Sequence, residues 1–211
     1  MKLSKAHFYK DTEENFQSTY SFFADESIQI SELTDHVIKI SKSKGFEEKQ
    51  THIITKDSDW AFLSSENENL DLFGSKKIIE IKLLGIGPGN KGSKAIKDYC
   101  LSPDQNKLLI VHAERLDKKQ QTSAWAKALE SSGVLIVEPP INKNSMPSWI
   151  KGKSQDLNIN ITEEAIHLLA EKTEGNLLAT SQELMKLVLL FPNQDISIED
   201  MEESISNASK F

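Results

Sequence analysis

The chain has 211 residues, 38% apolar and 27% charged, which is ordinary for a globular protein of one large or two modest domains. Its net charge of −7 argues against a self-sufficient nucleic-acid binder, because neutralising phosphates requires clustered cations. The single Cys100 excludes an internal disulfide, and neither a membrane-length apolar run nor a secretory signal is visible. We therefore expect a cytoplasmic protein with no membrane attachment.

Strand-like and helix-like segments alternate through the first two thirds of the chain. The predicted strands cover 18–23, 51–55, 78–84, 107–112 and 134–137, and the predicted helices cover 5–16, 30–40, 60–63, 95–101 and 121–131. The fourth strand is apolar throughout, as in strands that are buried on both faces of a parallel sheet. This succession predicts a three-layer α/β domain with a mainly parallel sheet.

The alternation ends at Pro139-Pro140, and we place the boundary between two domains there, at 1–140 and 141–211. The second domain is predicted to be helical throughout. Thr162 is a candidate N-cap because Glu163 and Glu164 follow it in the first turn. Ser197 begins the last helix, with Asp200 three residues later.

A glycine-rich segment, Gly87–Lys94, follows the third predicted strand and nearly forms a phosphate-binding P-loop. That pattern requires lysine directly after the second glycine and a hydroxyl residue after the lysine, so that these groups reach the phosphates and magnesium. Here Ser93 and Lys94 stand in the exchanged order, and the segment follows the third strand rather than the first. We interpret it as a flexible strand-to-helix loop, and a P-loop NTPase using Gly87–Lys94 is an alternative function.

The first strand-to-helix junction is where an α/β nucleotide-binding domain normally holds phosphate. In this chain the junction reads Ala24-Asp25-Glu26 and contains neither glycine nor lysine. Asp25 and Glu26 place negative charge at a helix N-terminus, where amide donors and the helix dipole would otherwise stabilise a phosphate. We therefore predict a degenerate nucleotide site at Ala24, Asp25 and Glu26. No histidine or cysteine spacing indicates a metal or a catalytic site.

A short acidic and apolar segment, Leu70-Asp71-Leu72-Phe73, precedes the third predicted strand, and polar residues flank it on both sides. Two such side chains can dominate the binding energy in a partner's pocket. From spacing alone, core packing is the simpler interpretation of Leu72 and Phe73. A non-catalytic α/β interaction scaffold is therefore a further alternative.

The sequence resembles the delta subunit of the bacterial DNA polymerase III clamp loader over nearly its whole length. The resemblance rests on segments in matching order: 20–26, Trp60 ahead of 70–73, 76–81, 108–110, 125–129, Pro139-Pro140, Trp149-Ile150, 175–179 and 182–184. It implies an AAA+-like α/β domain without ATPase motifs, followed by a small helical lid domain.

Several functional properties are implied by the same resemblance. The chain would have no catalytic activity and no cofactor, and would act in DNA replication within the DNA polymerase III holoenzyme, where neighbouring subunits hydrolyse ATP. Delta subunits bind the ring-shaped sliding clamp, beta, through a Leu-Phe pair just before the third strand, and help to open the ring for loading on primed DNA. Leu72 and Phe73 match that pair, so the resemblance favours Leu70, Asp71, Leu72 and Phe73 as the clamp-binding element.

Two departures from the family pattern accompany the resemblance. The family usually has glycine at the position of Ala24. Its members also carry a C-terminal collar domain that joins them to the gamma/tau and delta prime subunits, and this sequence ends at Phe211 without one. We expect either a fragment or a different mode of assembly, with DNA contacted only weakly or within the complex.

Overall fold

The structure is a computed structural model, and it describes residues 1–2, 5–63, 76–85, 87–192 and 194–208. The chain divides into two compact units, Met1–Pro139 and Pro140–Phe211. Each unit has its own secondary structure and its own buried side chains.

The first unit is built on a five-stranded sheet. Its strands are β1 (Thr19–Ala24), β2 (Glu48–Ile54), β3 (Lys77–Leu84), β4 (Lys107–Glu114) and β5 (Val134–Val137). They are ordered β2-β3-β4-β1-β5, and every neighbouring pair is parallel. The predicted parallel α/β fold is confirmed, and β1 lies inside the sheet, between β4 and β5.

Helices cover both faces of this sheet: α1 (Lys5–Glu14), α2 (Ser27–Ser43), α3 (Gly89–Leu101), α4 (Lys118–Gln121), α5 (Ala124–Ser132) and a 3-10 helix at Ala61–Leu63. One apolar core packs α1 and α2 on the sheet around Phe8 and Leu33. The other packs α3, α5 and the 3-10 helix around Ile96, Trp125 and Trp60. Because both faces are covered, β1 and β4 are buried almost end to end.

The second unit contains α6 (Met146–Asp156), α7 (Glu163–Lys172), α8 (Leu177–Leu190) and α9 (Ile198–Ala208). Thr162 caps α7 by accepting a hydrogen bond from the Ala165 amide at 3.4 Å, as predicted. Ser197 and Asp200 form a reciprocal capping box, in which the Ser197 amide donates to Asp200 Oδ2 at 2.9 Å.

The prediction that the second unit is purely helical was wrong in one respect. Two short strands, β6 (Asn160–Ile161) and β7 (Asp195–Ile196), form a parallel pair. A two-residue strand has no periodicity of its own, so the sequence gives no signal for it. In the ranges that the structure describes, none of the helices has the length and apolar character required to cross a bilayer.

Candidate functional site

The carboxyl-terminal edge of the sheet is the first place to seek a ligand site, because open parallel sheets bind ligands outside the carboxyl ends of their strands. At this edge β1 runs into α2 through the predicted degenerate site. Ala24 is the last residue of β1 and is buried, Asp25 is half-buried, and Glu26 is the exposed N-cap residue of α2. Asp25 and Glu26 thus stand directly before the first turn of α2, and we call this segment the acidic junction.

Arg115 closes one side of this junction and is the only arginine in the sequence. Its backbone amide donates to the Ala24 carbonyl at 3.0 Å, and its Nε donates to the Asp25 carbonyl at 3.4 Å. Its φ of +51° lies in the left-handed region, which a non-glycine residue adopts at a cost. The guanidinium group is thus held against the backbone of the acidic turn.

The end of β5 closes the other side of the junction. The Glu138 amide donates to the Phe23 carbonyl at 2.8 Å, and Gln29 Nε2 donates to the Pro139 carbonyl at 3.2 Å. Burial raises the pKa of the half-buried Glu138 carboxyl group, and Lys5 opposes this rise. Lys5 itself is ion-paired with Glu32 at 3.1 Å. Three carboxyl groups, those of Asp25, Glu26 and Glu138, therefore follow the ends of β1 and β5.

The interpretation of Gly87–Lys94 as a flexible loop was wrong. Helix α3 already begins at Gly89, so most of this segment forms its first turns. Gly92 is buried there, and a Cβ atom at this position would lie 2.2 Å from Trp60 Cζ2. The second glycine of the P-loop-like motif thus serves the packing of α3 against Trp60. It lies on a helix that follows β3, one strand removed from β1, and the P-loop alternative is not favoured.

The predicted clamp-binding residues Leu70, Asp71, Leu72 and Phe73 lie outside the described residues. The strand after them is β3, which begins at Lys77, close to its predicted start. The assignment of these four residues therefore stays a prediction based on the sequence.

A buried polar network lies between the edges of the sheet, and the sequence analysis missed it. The Glu80 carboxylate on β3 is 3% exposed and accepts hydrogen bonds from Thr51 Oγ1 at 2.6 Å and Lys49 Nζ at 3.2 Å. His112 Nε2 lies 3.6 Å from Glu80 and 2.8 Å from Thr34 Oγ1 on α2. The only available signal was a polar residue inside each of two apolar strands, and such a residue requires a partner when buried.

The pKa values of two groups in this network, His112 and Glu80, are shifted from their ordinary values. Burial lowers the pKa of His112 to about 4, and the attraction of Glu80 opposes that shift. Burial alone would raise the pKa of Glu80, but the Thr51 hydrogen bond and the neighbouring charges hold it below its ordinary value. A neutral His112 facing an ionised Glu80 is therefore the state that the fold stabilises at neutral pH.

The architecture defines the fold class: a parallel sheet with β1 between β4 and β5, followed by a helical unit, as in an AAA+-like fold. A solved structure of a Thermotoga maritima RuvB mutant shares the fold, with a TM-score of 0.51, 9% sequence identity and coverage of 97% of this chain and 68% of that one. The DNA clamp loader delta protein of Bacillus subtilis is similar at a TM-score of 0.70 and 17% identity, over 94% of this chain and 61% of that one.

The family is shown by sequence. Residues 20–138, more than half of the chain, match the family model described as DNA polymerase III, delta subunit, so the chain belongs to that family. It is 28% identical to the DNA polymerase III subunit delta of Escherichia coli over 202 residues, which is 94% of this chain and 58% of the relative. The corresponding Haemophilus influenzae subunit is 26% identical over 198 residues, or 91% and 56%. The chain thus spans less than two thirds of the length of these relatives.

Proposed function

We propose that the chain acts in DNA replication as the delta subunit of a clamp loader, binding the sliding clamp and helping to open it for loading on primed DNA. The observation that carries the proposal is the family match over residues 20–138, a range that includes Leu70–Phe73. The similarity of the fold to a protein named as a clamp loader delta protein supports it further.

Leu72 and Phe73 supply the binding energy in this proposal, with Leu70 and Asp71 completing the clamp-binding element. Burying two such side chains is worth on the order of 3–6 kcal/mol before entropic costs are deducted. If the pocket on the clamp is more accessible when one ring interface is loosened, the chain binds the open ring more tightly and shifts the clamp toward it. No covalent step is needed for this work.

The acidic junction supports a non-catalytic role for this chain within the polymerase assembly. The carboxylates of Asp25 and Glu26 stand before α2, where a nucleotide phosphate would meet like charge, and Ala24 gives that turn no glycine. ATP hydrolysis is then assigned to neighbouring subunits, with gamma/tau and delta prime as the partners. In this proposal residues 1–140 carry the clamp-binding element, 141–211 form the lid domain, and the complex works in the cytoplasm.

Clamp binding is tested with the variant Leu72→Ala, Phe73→Ala. We expect association with the sliding clamp of the same organism to weaken roughly 100-fold or more, since each 1.4 kcal/mol is a factor of ten. The measurements are co-elution in size-exclusion chromatography and the dissociation constant by surface plasmon resonance. Thermal unfolding of the variant is expected to match that of the parent.

A matched control removes apolar surface elsewhere. Leu101 and Leu189 are 86% and 79% exposed, so the variant Leu101→Ala, Leu189→Ala should leave clamp affinity unchanged. The proposal is abandoned if the parent does not bind the clamp, or if Leu72→Ala, Phe73→Ala unfolds the protein as the loss of a core pair would.

A further inference from the structure

The amino-terminal edge of the sheet, opposite the acidic junction, carries a cleft of about 490 Å³ that the sequence analysis did not find. Its lining comes from the segments that lead into β1, β2, β3 and β4. The aromatic rings of Phe16 and Phe46, the side chains of Lys44 and Lys76, and the amides of Gln17 and Gln105 surround it. Among the residues that the structure describes, two lysines and no carboxylate line the cleft, in a chain whose net charge is −7.

Both lysines make cation–π contacts with the aromatic rings of the cleft. Lys44 Nζ lies 5.1 Å from the centre of the Phe16 ring, and Lys76 Nζ lies 5.4 Å from the centre of the Phe46 ring. Lys76 Nζ also donates one hydrogen bond to the Lys44 carbonyl at 3.0 Å. Across the residues that the structure describes, neither ammonium group is ion-paired with a carboxylate.

The cation–π contacts favour carboxylate side chains over single-stranded nucleic acid as the ligand of the cleft. An aromatic face attracts a cation without neutralising it, so both ammonium groups keep donors for an acceptor in the cleft. Nearby Asp104 is engaged with Lys107 at 3.5 Å. Single-stranded nucleic acid would need free ring faces for its bases and more cations for its phosphates, whereas the lysines occupy the faces of Phe16 and Phe46. Carboxylate side chains need neither.

We propose that the cleft formed by Lys44, Lys76, Phe16 and Phe46 binds carboxylate side chains of an acidic segment on the sliding clamp. This inference rests on the proposed clamp-binding function. Lys76 follows Phe73 by three residues, and such a stretch of chain spans at most about 11 Å. A partner that takes up Phe73 therefore presents its surface within reach of Lys76.

The experiment compares Lys44→Gln, Lys76→Gln with the parent in binding kinetics to the clamp. Exposed charges at an interface act mainly on the association rate and on its salt dependence. We expect association to slow roughly three- to ten-fold at low salt and the dissociation rate to stay nearly unchanged, with the difference vanishing at high salt. Glutamine keeps much of the lysine stem, and equal thermal unfolding verifies that the fold is intact.

The matched control is Lys94→Gln, Lys97→Gln, which removes the same charge from exposed positions on α3. We expect the control to associate at the parental rate. If it slows association as much as Lys44→Gln, Lys76→Gln does, net charge explains the effect and the cleft proposal is overturned.

The remaining outcomes separate this inference from the proposed function. Loss of binding in Leu72→Ala, Phe73→Ala with parental kinetics in Lys44→Gln, Lys76→Gln overturns the cleft alone, whereas a parent that does not bind the clamp overturns both. Fluorescence anisotropy with a labelled single-stranded oligonucleotide is the final arm. Salt-sensitive binding by the parent that disappears in Lys44→Gln, Lys76→Gln would reassign the cleft to nucleic acid, and no binding is the expected result.

Discussion

Different charged side chains mark the two edges of the same parallel sheet. At the carboxyl-terminal edge, Asp25, Glu26 and Glu138 follow the strands where a nucleotide-binding relative would hold phosphate. At the amino-terminal edge, Lys44 and Lys76 line a cleft to which no described residue contributes a carboxylate. Both edges belong to one sheet of an AAA+-like fold. The charged residues that distinguish the edges lie in the segments that connect strands and helices.

The largest effect that we expect comes from acid acting on the sheet between the two edges. The pKa of His112 falls from an ordinary 6.5 to about 4, so the unfolded chain binds a proton in this range that the folded chain does not. The contribution of His112 to the free energy of unfolding is therefore fully present above pH 6.5. It declines by about 3 kcal/mol as the pH falls to about 4. The depressed pKa of Glu80 adds a loss of the same sign at lower pH.

Urea unfolding measured across this pH range checks the expectation. Lys49 and Lys82, which also face the network, resist protonation of His112, and the variant His112→Gln removes the titrating group while keeping a hydrogen-bond donor. This variant should lose much of the slope between pH 6.5 and pH 4. An unchanged slope would show that His112 is not the group whose protonation is linked to unfolding.

We expect an intermediate loss of stability from a substitution at Gly92. This substitution tests whether the glycine serves helix packing or phosphate binding. Gly92→Ala places a Cβ atom 2.2 Å from Trp60 Cζ2, and overpacking of this kind costs about 1–3 kcal/mol. Chemical denaturation measures the loss. As a control, Gly152→Ala lies inside α6, where among the described residues its new Cβ would meet no atom within 4 Å beyond the adjacent residues and the backbone of the helix itself. This variant should be more stable than the parent by about 1 kcal/mol.

The P-loop alternative predicts a different outcome for Gly92→Ala, namely loss of nucleotide binding instead of loss of stability. It requires saturable heat when magnesium and ATP are added to the parent, and loss of that heat in Gly92→Ala at unchanged stability. Calorimetry on the parent therefore separates the two interpretations directly, and we expect no saturable heat.

The smallest effect is expected at the acidic junction itself. Glu26 is the N-cap residue of α2, and its side chain makes no capping hydrogen bond, so its contribution comes from its charge near the positive end of the helix dipole. Glu26→Gln should cost about 0.3–1 kcal/mol, whereas Asp35→Asn, an exposed position farther along α2, should cost less. Equal losses in urea unfolding would show that the dipole plays no part.

Local sequence patterns predicted most of the elements because their signals are contained within each element. The five strands, Gly45 and Gly175 at positive φ beyond helix ends, and the Ser197–Asp200 capping box all follow from residues a few positions apart. The start of α3 was misplaced because Gly92 weakens helix propensity locally. Trp60, which packs on that glycine, is distant in sequence, so the local pattern could not reveal it.

The sequence by itself determined the fold class, the acidic character of the first strand-to-helix junction and the resemblance to delta subunits, because each depends on residue type and order along the chain. Only the tertiary structure decided that Glu80 and His112 share one buried network, and that Lys44 and Lys76 line one cleft. These groups lie on different strands or their connections. Pairing parallel strands brings them together through space, and spacing along the chain does not encode that proximity.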